Sequence, residues 1–182
     1  MKSFKIVLTS LLGIFLMVSC GIPEPPGGPV YDFEGNLAKD RVKIDDFLRT
    51  AQIDSLYRIH DPRGVVIIVQ EEGTGAKPST GMLVYSNYTG KLLDSTVFDT
   101  NREDIAREND VYDPLRTYRI FQFTLGTSDE IQGFNIGFRQ LKSGSKGVLI
   151  IPSLYAYLDS KTIPRIPANS VLMFEVEFLG MD

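Results

Sequence analysis

The order of predicted elements along this chain points to an α+β domain, an antiparallel sheet wrapped around one short helix. Three observations carry that prediction. Residues 171–179 alternate strictly: Leu172, Phe174, Val176 and Phe178 interleave with Met173, Glu175 and Glu177, which predicts one buried and one solvated face. The β-branched run Val65-Val66-Ile67-Ile68-Val69 ends at Glu71-Glu72-Gly73-Thr74-Gly75, a strand and then a turn. Over Gln132 to Leu141, Phe134, Phe138 and Leu141 recur at i, i+4 and i+7, and Ser143-Gly144 stops a helix. Strands, one helix and strands again, with no internal repeat, is the pattern of segregated rather than alternating elements.

From the N-terminus, the chain opens with a segment that reads as an export signal. Lys2 and Lys5 precede an apolar run from Ile6 to Val18, and Ser19-Cys20-Gly21 follows. The run is too short for a comfortable membrane span. Cys20 is the only cysteine among 182 residues, so no internal disulfide is open to it. Leu16-Met17-Val18-Ser19-Cys20 resembles a bacterial lipobox, with Met17 where Leu is usual. On that resemblance residues 1–19 are a lipoprotein signal peptide and Cys20 is lipidated; an ordinary secretory signal is the other reading. Several acyl chains on one cysteine satisfy the arithmetic of stable anchoring. No obvious acidic export patch follows Cys20, so the expected location is the cell envelope, lipid-anchored in the outer membrane and facing the periplasm.

Residues 20–35 are then a tether, because Gly21-Ile22-Pro23-Glu24-Pro25-Pro26-Gly27-Gly28-Pro29 is too dense in Pro and Gly for helix or sheet. Residues 36–63 form a helical extension, with the helix expected from Asn36 to Ser55. Leu37, Val42, Ile44, Phe47, Leu48 and Ile53 fall partly on one of its faces. Its shortness and polarity favour packing on its own domain over pairing with a second copy, and the oligomeric state stays open. The main domain is expected over residues 64–182. Its strands are expected at 65–69, 82–92 with a break at Gly90, 118–125, 146–151 and 171–179. Residues 100–117, rich in Asp, Glu, Arg and Asn, read as a solvated insertion, with a substrate-contacting flap as the alternative.

Composition bounds the function. Hydrophobic content of 43% with 23% charged residues is ordinary for a soluble globular chain. A formal charge of −4 with both signs interspersed speaks against nucleic-acid binding. His60, the single histidine, sits beside Asp61-Pro62 in an expected turn, and one His with one Cys offers no metal-ligand spacing. No nucleophile elbow accompanies a serine, and Gly73-Thr74-Gly75 is too short for a phosphate loop. What remains is an aromatic set with a few polar handles and no cofactor. Any one of these aromatics, taken alone, reads as core.

Taken in order, Tyr88-Thr89-Gly90, Phe98-Asp99, Ile151-Pro152-Ser153-Leu154-Tyr155-Ala156-Tyr157 and Ile166-Pro167-Ala168-Asn169-Ser170-Val171-Leu172-Met173-Phe174 resemble the FKBP-type peptidyl-prolyl cis/trans isomerases. The resemblance runs from about Gly73 to the C-terminus. It implies an FKBP-like fold, rotation about Xaa-Pro bonds as the reaction, and no cofactor. It also implies a pocket in which Tyr88, Phe98, Asp99 and Tyr157 are catalytic and Phe121, Glu130, Ile131, Phe134, Ile166 and Phe174 bind substrate. Phe134 would seat the proline ring where the family most often has Trp, with Phe121, Ile131 and Phe174 as walls. Tyr157 would donate to a substrate carbonyl, while Tyr88 and Asp99 fix the polar edge.

Besides Phe134, three positions depart from the family pattern. Glu130 replaces a small apolar residue, Leu158 replaces a glycine, and Pro167-Ala168 replaces Pro-Pro. They bear on substrate preference, macrolide-inhibitor binding and turnover. The expected function is an isomerase that assists the folding of exported proteins, with proline-containing client polypeptides as partners. Alternatives from other classes are a low-activity chaperone or binding lipoprotein of the envelope, and a structural lipoprotein of a surface machine.

Overall fold

In the computed structural model the described residues are 30–182; the expected signal peptide, Cys20 and most of the expected tether lie outside them. Chain order is α1 (Phe33–Thr50), β1 (Tyr57–His60), β2 (Val66–Glu71), β3 (Leu83–Leu92), β4 (Val97–Thr100), α2 (Glu103–Glu108), β5 (Phe121–Thr124), α3 (Gln132–Phe138), β6 (Lys146–Ile151) and β7 (Leu172–Met181). A single 3₁₀ turn, Ser153–Tyr155, follows β6. All strand pairs are antiparallel, in the order β1-β2-β6-β7-β3-β4, with β5 also on β3. β3 is the branching strand. β7 runs along its length, while β5 pairs with Leu83–Ser86 and β4 with Thr89–Lys91.

The sheet buries both faces around its centre. One face carries Ile67, Leu149, Leu172, Phe174 and Phe178 against Phe134, Ile136 and Phe138 of α3. The other carries Val66, Ile68, Val148, Ile150 and Met173 against Ile44 of α1, with Phe47 and Leu48 alongside. Two-sided burial is why β2 and β6 read as continuous apolar runs rather than alternating ones. It also corrects one expectation: Met173, assigned to the solvated face of β7, is buried beneath α1, whereas Glu175 is exposed.

The N-terminal segment differs from its sequence reading in bounds. α1 starts at Phe33, inside the stretch assigned to the tether, because the Asp32 carboxylate caps it by accepting from the Gly35 N–H at 2.9 Å. It ends at Thr50, and a strand precedes Gly64: β1 pairs with β2, Tyr57 opposite Val69 and His60 opposite Val66. His60 therefore closes a strand rather than sitting in a turn. The sheet begins at Tyr57, not after Gly64. Among the described residues no helix is long and apolar enough to cross a membrane.

Further along, Gly90 does not break β3; the ladder with β4 shifts register there and continues. β4 adds a strand beyond those expected, since four residues, Val97–Thr100, are too few to show a period. The insertion at 100–117 carries α2, with Ala106 buried.

α3 sits unusually near its strand. A Cβ at Gly133 would lie 2.3 Å from Ile151 Cγ2, and one at Gly137 would lie 2.6 Å from Leu149 Cδ1. Two glycines one turn apart thus let the helix backbone press on β6. A methyl added at Gly133 has to displace a β-branched side chain, so Gly133→Ala is expected to cost about 1–3 kcal/mol by overpacking. Chemical denaturation should show a lower midpoint with an unchanged slope; an unchanged midpoint would contradict this packing.

Candidate active site

A cavity of about 330 Å³ opens between β3, β4, the N-terminus of α3 and the loop joining β6 to β7. All ten pocket residues expected from the sequence line it. Phe134, the third residue of α3, is buried and forms its base. Its ring lies 4.7 Å from Phe174, 5.9 Å from Phe121 and 6.2 Å from Tyr88, centroid to centroid. Phe98 meets Phe174 edge-on at 5.5 Å. Edge-to-face aromatic pairs of this kind contribute about 0.5–1.5 kcal/mol each beyond burial. Gly90 makes the arrangement possible, since a Cβ there would fall 2.6 Å from Phe98 and 2.9 Å from Phe174.

The polar edge is one connected network. The Tyr88 hydroxyl donates to Asp99 Oδ2, Arg116 Nη1 donates to Asp99 Oδ1, and Arg116 Nη2 donates to the Tyr88 hydroxyl at 3.0 Å. Burial first, then the Asp99 charge, push the Tyr88 phenol well above its ordinary value, so it stays a proton donor. The stem of the insertion is locked beside it. Asn101 accepts from the Tyr88 N–H at 2.7 Å and donates to the Arg119 carbonyl at 3.0 Å. The solvated reading of residues 100–117 is therefore incomplete: the insertion returns Arg116 to the pocket rim.

Across the mouth stands Tyr157, half-buried, its hydroxyl making no hydrogen bond with the described residues. Burial, then Glu130 and Asp99, raise its phenol above the ordinary value, and it too remains protonated and able to donate. Among the described residues no cluster of His, Cys, Asp or Glu could hold a metal ion. The site offers an aromatic floor, a hydroxyl donor with no partner among the described residues and a fixed acidic edge.

Residues 74–179 match the family profile described as FKBP-type peptidyl-prolyl cis-trans isomerase. The chain belongs to that family. It is 34% identical over 118 residues to FK506-binding protein 59 of Drosophila melanogaster, covering 64% of this chain and 24% of that protein. It is likewise 34% identical over 123 residues to peptidyl-prolyl cis-trans isomerase FKBP4 of Homo sapiens, covering 65% and 24%. The matched region thus spans about a quarter of the length of those relatives. Among solved structures, FkpA from Escherichia coli superposes with a TM-score of 0.60 at 28% identity, over 82% of this chain and 62% of that one. A peptidyl-prolyl cis-trans isomerase from Pseudomonas syringae has the same fold, with a TM-score of 0.60 at 22% identity, over 85% and 99%.

Within this FKBP-type domain the departures acquire a geometry. Leu158, in the place where glycine usually follows the tyrosine, has φ of 55°. That is the left-handed region glycine enters freely, and a branched side chain there costs about 1–2 kcal/mol. The loop beyond it also supplies Ile163, Pro164 and Arg165 to the pocket, and Arg165 has φ of 64°. None of these three, nor Arg116, is among the pocket residues expected from the sequence. Arg116 is one of four arginines between Arg102 and Arg119, and nothing local distinguishes the one that turns back to Asp99.

Glu130 lies at the mouth, partly buried, with no hydrogen-bond or ion-pair partner among the described residues. Burial first, then Asp129 and Asp99, push its carboxyl up to about 7 from 4.5. The folded chain therefore holds this proton more tightly than the unfolded chain, and the stability it confers is lost as pH rises through about 7. The same titration charges the mouth of a pocket whose floor is aromatic. Affinity for an uncharged Xaa-Pro peptide should fall as pH rises from about 6 to about 8, and Glu130→Gln should flatten that dependence. Isothermal titration across this range checks it; parallel profiles for the two proteins would refute the assignment.

Proposed function

We propose that this protein is a peptidyl-prolyl cis/trans isomerase that assists the folding of exported proteins from a lipid-anchored position in the bacterial cell envelope. The observation that carries the catalytic reading is the pocket itself: an aromatic floor and walls, a Tyr157 hydroxyl at the mouth with no partner among the described residues, and no Ser, Thr, Cys, Lys or His among its described lining residues.

The chemistry asks for little more. Resonance in the C–N bond sets a barrier of roughly 18–20 kcal/mol to rotation about a Xaa-Pro amide. Uncatalysed exchange takes tens to hundreds of seconds, slow enough to limit folding. The planar amide is strongly dipolar, and the twisted transition state, with resonance broken, is less so. Transfer from water to the aromatic floor of Phe134, Phe98 and Phe174 disfavours the planar form more than the twisted one, which is differential transition-state binding. Each tenfold acceleration needs about 1.4 kcal/mol of that difference. Phe134 seats the pyrrolidine ring, Phe121, Ile131 and Ile166 close round it, and Tyr157 orients the peptide through a carbonyl. Tyr88, Asp99 and Arg116 hold the polar edge without exchanging protons with the substrate.

The anchored location rests on the lipobox-like Leu16-Met17-Val18-Ser19-Cys20 and the Pro/Gly-rich stretch after it. Clients would be proline-containing chains emerging into the periplasm. One observation favours a second reading, a chaperone or binding module of low turnover: the unpaired Glu130 carboxyl at the mouth, where a dry apolar rim would suit catalysis better.

A protease-coupled assay on Xaa-Pro peptides separates the two. The wild type is expected to accelerate isomerisation, Tyr157→Ala and Phe98→Ala to lose about ten- to a hundredfold of kcat/KM, the range set by one lost transition-state contact of about 1.4–2.8 kcal/mol. Equal rates for all three proteins and for buffer would leave the binding reading.

A further inference from the structure

The polar group hardest to explain by the pocket alone is Asp40 of α1, on the far face of the sheet. Its carboxylate is 1% exposed. Oδ2 accepts from the Ser153 N–H at 2.8 Å and from the Ser153 hydroxyl at 2.5 Å, while Oδ1 accepts from Lys43 Nζ at 3.0 Å. Because the Ser153 hydroxyl proton is committed to Asp40, the Tyr31 hydroxyl, 3.1 Å away, donates to Ser153 Oγ. Packing alone does not call for this. The contact of α1 with the sheet core, through Ile44, is apolar, and an apolar side chain of similar volume at 40 would fill the space without the cost of burying a charge.

What the carboxylate secures is the loop that carries the pocket's donor. Ser153 opens the 3₁₀ turn after β6, and its carbonyl accepts from the N–H groups of Ala156 at 3.1 Å and Leu158 at 2.9 Å. Tyr157 is held between those two anchors. At the other stem of the same loop, Lys43 Nζ donates to the Asn169 carbonyl at 3.2 Å, and the Asn169 N–H donates to the Leu158 carbonyl at 2.8 Å. One turn of α1 thus grips both stems of the loop. It does so where Leu158 occupies a left-handed conformation that a non-glycine residue keeps only when its surroundings dictate it.

We propose that Asp40 is a positioning residue for the pocket: through Ser153 it fixes the loop that aims the Tyr157 hydroxyl at the substrate. The proposal rests on the isomerase reading for its catalytic consequence and on the hydrogen bonds alone for its mechanical one. Asp40 touches no substrate. Its effect passes through Tyr157, and that makes it separable from a general contribution to stability.

The experiment is a double-mutant cycle in the full chain, with hydrogen exchange alongside. Asp40→Ala is expected to lower kcat/KM about tenfold in the wild-type background and to have no further effect on Tyr157→Phe. Amide exchange should quicken over residues 154–158 while β6 and β7 keep their protection. Ser153→Ala, which retains the backbone N–H bond to Asp40, should give the same pattern at about threefold, and serves if Asp40→Ala does not fold. Asp46→Ala, which removes an exposed ion pair with Arg49 on the same helix, is the control expected to change neither readout. Equal losses in both backgrounds, or exchange that quickens throughout the sheet, would overturn the proposal. If the wild type does not catalyse at all, the isomerase reading falls. The exchange data then decide the clamp: faster exchange confined to 154–158 supports it, and unchanged exchange refutes it.

Discussion

How near α3 can come to β6 governs the rest of this domain. Gly133 and Gly137 remove the two side chains that would hold the helix off the strand, and Ile151 and Leu149 occupy the space they leave. That approach sets the height of Phe134 within the sheet's hollow. Phe174, Phe121, Phe123 and Phe138 all meet Phe134 with ring centroids under 6 Å away. The cavity above is what remains once this aromatic stack is placed. Its smaller floor, a phenyl in place of the family's usual indole, is supported rather than loosened by the close helix.

The parts of the fold that could be read from the sequence are those where one periodicity dominates. β7 shows its alternation because only its first residues lie under α1, and α3 shows its phenylalanines at helical spacing. β4 was not legible because Val97–Thr100 holds four residues, and β1 was masked because Tyr57–His60 follows a helical pattern without a clear break. Met173 was misplaced because alternation tells which residues share a face. It does not tell whether a distant helix covers the second face. For the site, the aromatic set was legible as a family pattern in the order Tyr88, Phe98, Phe121, Phe134, Tyr157, Phe174. Arg116 and Asp40 were not, since a charged side chain carries no local sign of where tertiary structure will direct it.

Two segments outside the pocket's own strands reach toward it in different ways. The insertion delivers Arg116 directly, neutralising Asp99 and fixing the Tyr88 hydroxyl. α1 works from the opposite face, through a buried carboxylate and the backbone of the β6–β7 connection. The first tunes charge at the rim and the second constrains shape. Both sit where the sequence departs from the simplest version of the domain, at 100–117 and ahead of the first strand. Rim chemistry and loop rigidity can thus vary without disturbing the aromatic floor.

The outer strands of the sheet have a consequence of their own. β1 and β4 are four residues each, and the β3–β4 ladder slips register within that length. A neighbouring chain seeking to add a strand finds no long, flat row of unpaired N–H and C=O groups at either end. A protein proposed to work on incompletely folded chains meets many extended segments looking for such a row. Short, irregular borders at β1 and β4 disfavour its recruitment into the aggregates such segments form.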